Sequence, residues 1–227
     1  MDSDDELERN CIEFLAKPLK LRNYDFIIGN YKACGFPSEQ PPLKLKEGEY
    51  FGDYILKSYC DREWYMMAWN KLVRCEFLLK NELYFYSGII HEDDIWSFRL
   101  ACRATSMYVC KDITITYYRN KGSIMTSSSY KRHVKSSFII LKEICKMLDN
   151  YKVFYTLQKA PQILKMHMQN CYQLLIIRDP SDFSQIKKID TIYKELDQAE
   201  YFSIPKEQTF CKLNYIKSFG RVILVFN

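Results

Sequence analysis

The run His-Glu-Asp-Asp at residues 91–94 is the feature that most restricts how this chain can fold. It follows an aromatic, apolar stretch that ends at Gly88, and an apolar run resumes at Ile95. Adjacent carboxylates repel one another and are costly to desolvate, so they need water, a helix dipole or a counter-charge. The pattern therefore predicts a strand that starts at residue 84 and a helix over residues 92–104 that begins with the acids. We interpret the same acids as a working site.

Composition places the chain among globular proteins. It has 227 residues, of which 48% are hydrophobic and 15% aromatic, which is enough to bury a substantial core and unlike a disordered segment. Its longest purely apolar runs, residues 174–177 and 222–226, are far shorter than the ~18 residues of a membrane-spanning helix. No secretory signal pattern is visible. We expect a cytoplasmic protein, with peripheral contact at the inner face of the plasma membrane left open.

The cysteines and the charges narrow the chemistry. The nine cysteines are widely spaced without a CxxC pair, which is typical of reduced thiols and argues against disulfides and zinc. Residues 1–100 carry 18 acidic and 13 basic side chains, whereas residues 101–227 carry 10 and 20. An acidic front half suits metal or hydroxyl chemistry, and a basic rear half suits phosphate-bearing or anionic partners.

Periodicity predicts the remaining elements of the front half. Residues 24–31 and 107–118 are rich in β-forming residues and predict strands, and residues 75–83 predict a short helix. Residues 48–59 fit a short strand or a helix equally well. Near the N-terminus, helical spacing predicts one buried face made of Leu7, Cys11, Phe14, Leu15 and Leu19. The acids at residues 2–5 would then cap this helix.

The rear half is predicted to be mainly helical. Helical spacing recurs over about residues 129–149, 151–158, 161–178 and 182–200. Residues 220–227 fit either a strand or a helix end. We therefore predict a domain boundary near residue 128, with an α/β front region at 1–128 and a mainly helical C-terminal region at 129–227.

Three separated features point to one kind of chemistry. Asp2 and Asp4, at i and i+2, present oxygen ligands of the kind that Mg²⁺ or Mn²⁺ prefers. Asp93, flanked by two acids, is a candidate general base. In the Gly-punctuated loop, Arg119 and Lys121 are candidates to clamp phosphate oxygens. A metal, a base and a cationic loop together suit displacement at a sugar carbon that bears a nucleoside diphosphate.

The same residues resemble a family 2 glycosyltransferase with a GT-A fold, of the bacterial surface-polysaccharide kind. The chain is similar to roughly its C-terminal two-thirds, starting at the metal-binding DXD motif. The matching stretches are residues 2–5, 24–28, 69–72, 88–94 and 117–125. Beyond residue 128 the resemblance is only to a generic helical tail.

The resemblance implies roles for particular residues. Asp2 and Asp4 would be the DXD motif that holds Mn²⁺ or Mg²⁺, and Asp93 would be the base of an inverting transfer. Supporting charges and contacts to the diphosphate or acceptor are assigned more loosely. The supporting residues are His91, Glu92 and Asp94, and the binding residues are Lys71, Arg119, Lys121 and Ser123. The partners would be a nucleotide-sugar donor and a carbohydrate or lipid-linked acceptor.

The departure from the family leaves alternatives open. In the family, nucleotide-binding strands precede the DXD motif, whereas Met1 directly precedes it here. We therefore expect a partial GT-A fold that lacks those strands, and the activity of this chain alone is an open question. One alternative is a non-catalytic, truncated remnant that serves as an interaction module. A basic nucleic-acid-binding protein, suggested by Lys131, Arg132 and Lys135, ranks below it because the acidic front would repel phosphate.

Aromatic and histidine side chains outside the motifs are interpreted structurally. Trp64 and Trp69 are predicted to be core residues in preference to sugar-stacking platforms, although aromatic rings do both. His133 and His167 are predicted to lie on the surfaces of helices.

Overall fold

The computed structural model describes residues 5–35, 43–118 and 130–150, together with the backbone of residues 215–218 and 221–224. The strands are β1 (Glu6–Leu7), β2 (Phe26–Cys34), β3 (Gly48–Phe51), β4 (Lys71–Val73), β5 (Ser106–Tyr118), β6 (Tyr215–Ser218) and β7 (Arg221–Leu224). The α-helices are α1 (Cys11–Ala16), α2 (Asp53–Cys60), α3 (Cys75–Lys80), α4 (Glu92–Arg103) and α5 (Tyr130–Asn150). A 3₁₀-helix, Lys17–Lys20, continues α1. None of the described helices is long and apolar enough to cross a membrane.

The long strand β5 organises the sheet. One edge of β5 pairs in parallel with β2, and the other edge pairs antiparallel with β3 near its start and with β1 near its end. The outer edge of β2 pairs antiparallel with β4. A pair of parallel strands is normally packed against other elements on both faces, and β2 carries apolar residues for both faces.

Helices cover both faces of the β2–β5 pair. Ile28 of β2 packs into the larger core, to which α2, α4 and α5 contribute, and Ile27 packs into a smaller core with Cys11 and Leu15 of α1. Gly29 is a residue of β2 that faces Thr114 of β5. A Cβ atom at this position would stand 2.5 Å from Thr114 Oγ1. Only glycine allows this close approach of β2 and β5.

Helix α5 packs on α4. Its Ile140 and Ile144 are buried in the larger core, and Glu143 lies 3.7 Å from Arg99 of α4. The predicted helix at residues 129–149 is thus confirmed. The predicted helices at residues 151–158, 161–178 and 182–200 lie outside the described residues, and the boundary at residue 128 stays a prediction.

Several other expectations are confirmed. The strands predicted at 24–31 and 107–118, the small helix at 75–83 and the helix at 92–104 all form. The undecided stretch 48–59 holds β3 followed by α2, and residues 221–224 form a strand that pairs with β6. The six cysteines that the structure describes form no disulfide.

The strand predicted at residue 84 is wrong. The residues from 81 to 91 contain no regular element, and the Tyr84 side chain is 63% exposed. The physical reason is that burial in this segment does not alternate: Leu83 is buried and its carbonyl accepts a hydrogen bond from Trp96 Nε1 at 3.0 Å, whereas the next two residues, Tyr84 and Phe85, are both exposed. Positive φ angles at Glu82 and Gly88 bend the chain on either side. Aromatic composition predicted a strand, but none of the strands that the structure describes pairs with this segment.

The predicted N-terminal helix is also shorter than expected. Leu7 lies in β1, opposite Ile115 of β5, and is exposed instead of forming part of a buried helix face. The helix begins only at Cys11, after Asn10, so Asp5 does not cap it. Asp5 is buried, and its Oδ1 accepts a hydrogen bond from the Tyr118 N–H at 3.1 Å. Pairing with the edge of β5 overrides the helical spacing.

Asp25 ties the start of β2 to the start of β5. Its Oδ2 accepts hydrogen bonds from Thr105 N–H and Thr105 Oγ1, both at 2.8 Å, and from Ser106 N–H at 3.1 Å. Its Oδ1 accepts a hydrogen bond at 2.5 Å from Nη2 of Arg74, the residue that follows β4. A buried carboxylate is stable only when it is paired and fully hydrogen-bonded in this way.

Replacing Asp25 should therefore destabilise the whole sheet. We expect Asp25→Asn to lower the free energy of unfolding by about 3 kcal/mol, because an amide presents a donor to groups that themselves donate. Urea unfolding followed by circular dichroism measures the change. The matched control is Asp53→Asn, an exposed acid in the first turn of α2 that should cost less than about 1 kcal/mol. Equal losses in the two variants would contradict the role of Asp25.

Candidate active site

The candidate site lies at the N-terminal end of α4, where the predicted acids stand. His91 is the residue before the helix and adopts a left-handed conformation, with φ 62° and ψ 33°. Glu92, Asp93 and Asp94 then form the first turn, and the Asp94 N–H donates to His91 O at 3.1 Å. The positive end of the helix dipole faces these carboxylates and stabilises their charge.

Asp93 faces the loop that precedes β4. Its Oδ2 accepts a hydrogen bond from the Ala68 N–H at 3.2 Å, and the residue is half-buried, so it is reachable from solvent. The same loop is held from a second side by Ser97 of α4, whose hydroxyl donates to Met66 O. A base must be fixed and still accessible to its substrate, and Asp93 meets both conditions.

Lys71 secures this loop from within. Its ammonium donates to Tyr65 O at 2.8 Å, to Asn70 Oδ1 at 3.1 Å and to Met67 O, and it lies 5.3 Å from the centre of the Trp64 ring. Burial lowers the pKa of Lys71 to about 7, against which the negative charge of Asp93 acts. Three acceptor oxygens also favour the protonated form. The predicted contact of Lys71 with a diphosphate or acceptor stays a prediction, since its ammonium points at this loop.

Asp94 differs from its neighbours because it points into the core. It is only 8% exposed, and burial, followed by the charges of Asp93 and Glu92, raises its pKa to about 7. Its backbone oxygen accepts a hydrogen bond from the buried Tyr59 hydroxyl at 3.3 Å. Asp94 is thus a supporting residue whose carboxyl is out of reach of a bulky acceptor.

Helix α5 fixes the segment just before α4. His133 Nδ1 lies 2.9 Å from His91 Nε2, and the Ile90 N–H donates to Ser136 Oγ at 3.1 Å. Burial, followed by the charge of the neighbouring His133, lowers the pKa of His91 and so favours its neutral form. The prediction that His133 is a surface residue is wrong, because it is buried against His91.

Four half-buried aromatic rings cluster in and beside the loop that precedes β4. Trp69 stacks on Tyr117 with ring centres 5.6 Å apart, and Tyr31 meets both rings edge-on at 5.2 and 6.4 Å. Tyr65 meets Tyr31 at 4.8 Å and donates its hydroxyl to Asn30 Oδ1 at 3.2 Å. The cluster joins the ends of β2 and β5 to the loop that carries Ala68. Trp64, in contrast, is a buried core residue as predicted.

Two stretches of described residues end at Asp5 and Tyr118, which are hydrogen-bonded to each other. The Asp5–Tyr118 hydrogen bond stands one residue from Asp4 and one residue from Arg119. Asp2, Asp4, Arg119, Lys121 and Ser123 themselves lie outside the described residues. Among the residues that the structure does describe, no cluster of three His, Cys, Asp or Glu side chains could hold a metal ion.

The sheet and its covering helices form a mixed α/β fold. The structure is similar to that of S. aureus TarS, a glycosyltransferase, in its 1–349 form, with a TM-score of 0.59, 13% identity and coverage of 100% of this chain and 71% of that chain.

Two crystal structures of the same TarS form in complex with nucleotides are similar to this chain at slightly lower TM-scores. The complex with UDP-GlcNAc gives a TM-score of 0.56 at 15% identity and covers 100% of this chain and 72% of that one. The complex with UDP gives 0.56 at 14%, with 100% and 71% covered. The predicted α/β fold class is confirmed. No protein-family model and no curated protein matches the sequence.

Sequence reasoning missed the residues that act through the backbone or from a distant helix. Ala68 contributes only its N–H, which no sequence pattern marks. His133 and Ser136 are spaced i and i+3 within an otherwise apolar helix face, which was a signal of a polar contact. That spacing did not, however, identify residues 90–91 as the partner.

The buried carboxyl of Asp94 generates a pH-dependent prediction. The folded protein keeps a proton on Asp94 up to about pH 7, whereas the ordinary value is 3.8, so wild-type stability falls as pH rises through this window. Asp94→Asn carries no such proton. We expect its stability relative to wild type to rise between about pH 4 and 7 by on the order of 3 kcal/mol.

Urea unfolding at a series of pH values measures this difference. The control Asp53→Asn, at an exposed position, should show little change over the same range. A stability difference between Asp94→Asn and wild type that stays constant with pH would overturn the assignment of a buried, protonated Asp94.

Proposed function

We propose that this chain transfers a sugar from a uridine-diphosphate sugar to a carbohydrate hydroxyl, with inversion at the anomeric carbon, in surface polysaccharide synthesis. The observation that carries the proposal is Asp93, a half-buried carboxylate held by the Ala68 N–H at the start of α4. It stands within a fold that matches TarS structures in complex with UDP-GlcNAc and with UDP. The proposed acceptor is a carbohydrate, free or lipid-linked.

Asp93 is the proposed catalytic base. It takes the proton of the acceptor hydroxyl while that oxygen forms a bond to the anomeric carbon. The bond between this carbon and the diphosphate breaks on the opposite face, and the nucleoside diphosphate leaves with the electron pair. A single displacement of this kind inverts the configuration.

The immediate surroundings suit this role for Asp93. The Ala68 N–H orients the carboxylate of Asp93 by donating to its Oδ2. The Lys71 side chain, held by three oxygens and with a pKa lowered to about 7, adds positive charge nearby when it is protonated. Glu92 adds negative potential at the helix start, Asp94 supports the turn from the buried side, and His91 with His133 fixes the backbone that leads into it.

Asp2 and Asp4 are the proposed ligands of Mn²⁺ or Mg²⁺. Carboxylate oxygens are the donors that these cations prefer. The residues therefore fit a divalent cation. When bound, the cation would neutralise charge on the leaving diphosphate. Arg119, Lys121 and Ser123 would contribute hydrogen-bond donors to the same phosphates.

Asp93→Asn tests the base. We expect UDP release from UDP-GlcNAc with Mn²⁺ present to fall at least about 100-fold, because an amide does not accept the proton. UDP-GlcNAc binding, measured by calorimetry, should stay within about twofold because only the base is lost. The control Asp53→Asn should leave both unchanged.

Two outcomes would count against these assignments separately. Turnover of Asp93→Asn at the wild-type rate would exclude Asp93 as the base. A wild-type chain that neither binds UDP-GlcNAc nor releases UDP would refute the transfer activity and favour a non-catalytic interaction module.

Removal of the divalent cation tests the metal assignment. A chelator should stop UDP release, and added Mn²⁺ should restore it, because the leaving diphosphate needs charge neutralisation. Asp2→Asn with Asp4→Asn should weaken Mn²⁺ binding measured by electron paramagnetic resonance. Turnover that persists in the presence of chelator would contradict the proposed role of the metal ion.

A further inference from the structure

An exposed patch of leucines and cations lies on the outer side of α1 and its 3₁₀ continuation. We call it the Leu21 patch; it consists of Ile12, Lys17, Leu19, Lys20, Leu21 and Arg22. Its apolar members are well exposed, with Ile12 at 63%, Leu19 at 41% and Leu21 at 69%. Single exposed leucines are common on soluble proteins, but a contiguous group calls for an explanation.

Some apolar residues of α1 and its 3₁₀ continuation are buried and others are exposed. Cys11, Leu15 and Pro18 face inward and are buried. Exposed Ile12 lies on α1, exposed Leu19 on the 3₁₀-helix and exposed Leu21 directly after it. These three residues form the apolar stripe of the patch.

Cations flank the stripe. Lys17 and Lys20 are exposed, and the segment from residue 17 to 22 contains three bases and no acid. Arg22 lies 5.0 Å from the centre of the Phe51 ring, which is itself exposed, and 3.0 Å from Glu49. Glu13 is the exposed acid on α1, so the patch as a whole remains basic.

We infer that the Leu21 patch docks on the surface of an anionic lipid bilayer. Leucines between lysines match the boundary between acyl chains and headgroups, where apolar side chains enter and cations stay with the phosphates. A polyanion such as RNA would engage the lysines but gain little from the exposed leucines. The bilayer is therefore the partner that uses both components. This inference is independent of the proposed transfer activity.

Vesicle co-sedimentation of the full chain tests the docking. Wild type should bind vesicles of phosphatidylcholine mixed with phosphatidylglycerol, bind phosphatidylcholine alone much more weakly, and lose affinity as salt rises. Leu19→Ser with Leu21→Ser, and separately Lys17→Gln with Lys20→Gln, should each lower the partition coefficient at least about tenfold. The mutated side chains are exposed, so thermal unfolding should be unchanged.

The matched control is Leu79→Ser with Lys80→Gln, an exposed leucine and lysine on α3, which should bind like wild type. Failure of wild type to bind the anionic vesicles would overturn the inference. So would equal binding to neutral vesicles, or an equal loss in the control. Loss in the lysine variant but not in the leucine variant would also overturn it, in favour of a soluble polyanion.

Discussion

The hydrogen-bonded carboxylate of Asp25 is the constraint on which the rest of the structure depends. It joins the starts of two parallel strands, which no short turn connects, and links them to Arg74 beyond β4. Parallel strands distant in sequence can slip in register, and a slip by one residue exchanges the two faces. By holding residues 105–106 beside residue 25, Asp25 fixes which isoleucine of β2 faces which core.

The strand pair that begins at Asp25 extends to the candidate site at its other end. The pairing shifts register between Ile28 and Tyr31 and then continues, and Tyr31 of β2 and Tyr117 of β5 lie within the same ring cluster. Trp69 joins that cluster, and the next residue toward the N-terminus, Ala68, donates to Asp93. A buried anion at one end of the sheet is thereby connected through rigid packing to a half-exposed anion at the other.

The sequence predicts elements whose pattern is local and leaves out those set by distant partners. Residues 24–31, 92–104 and 107–118 formed as expected because their hydrophobic periodicity is complete within each segment. The aromatic stretch after Leu83 failed as a strand because strand formation requires a neighbour to pair with. His133 was misplaced for a related reason: its partner, His91, is 42 residues away in sequence. In the candidate site, the acids were predictable and their supports were not.

Depth of burial explains how three adjacent carboxylates coexist at the start of α4. Asp94 is buried and, with a pKa raised to about 7, holds a proton about half the time at neutral pH, which relieves the repulsion along the turn. Asp93 is half-buried, accepts a backbone hydrogen bond and interacts with the nearby Lys71 side chain. The helix dipole stabilises the remaining charge. The cluster thus separates into one accessible carboxylate that can accept a proton and one inaccessible carboxyl that stores one. That difference in depth, and not their sequence order alone, is the physical reason to assign the base to Asp93.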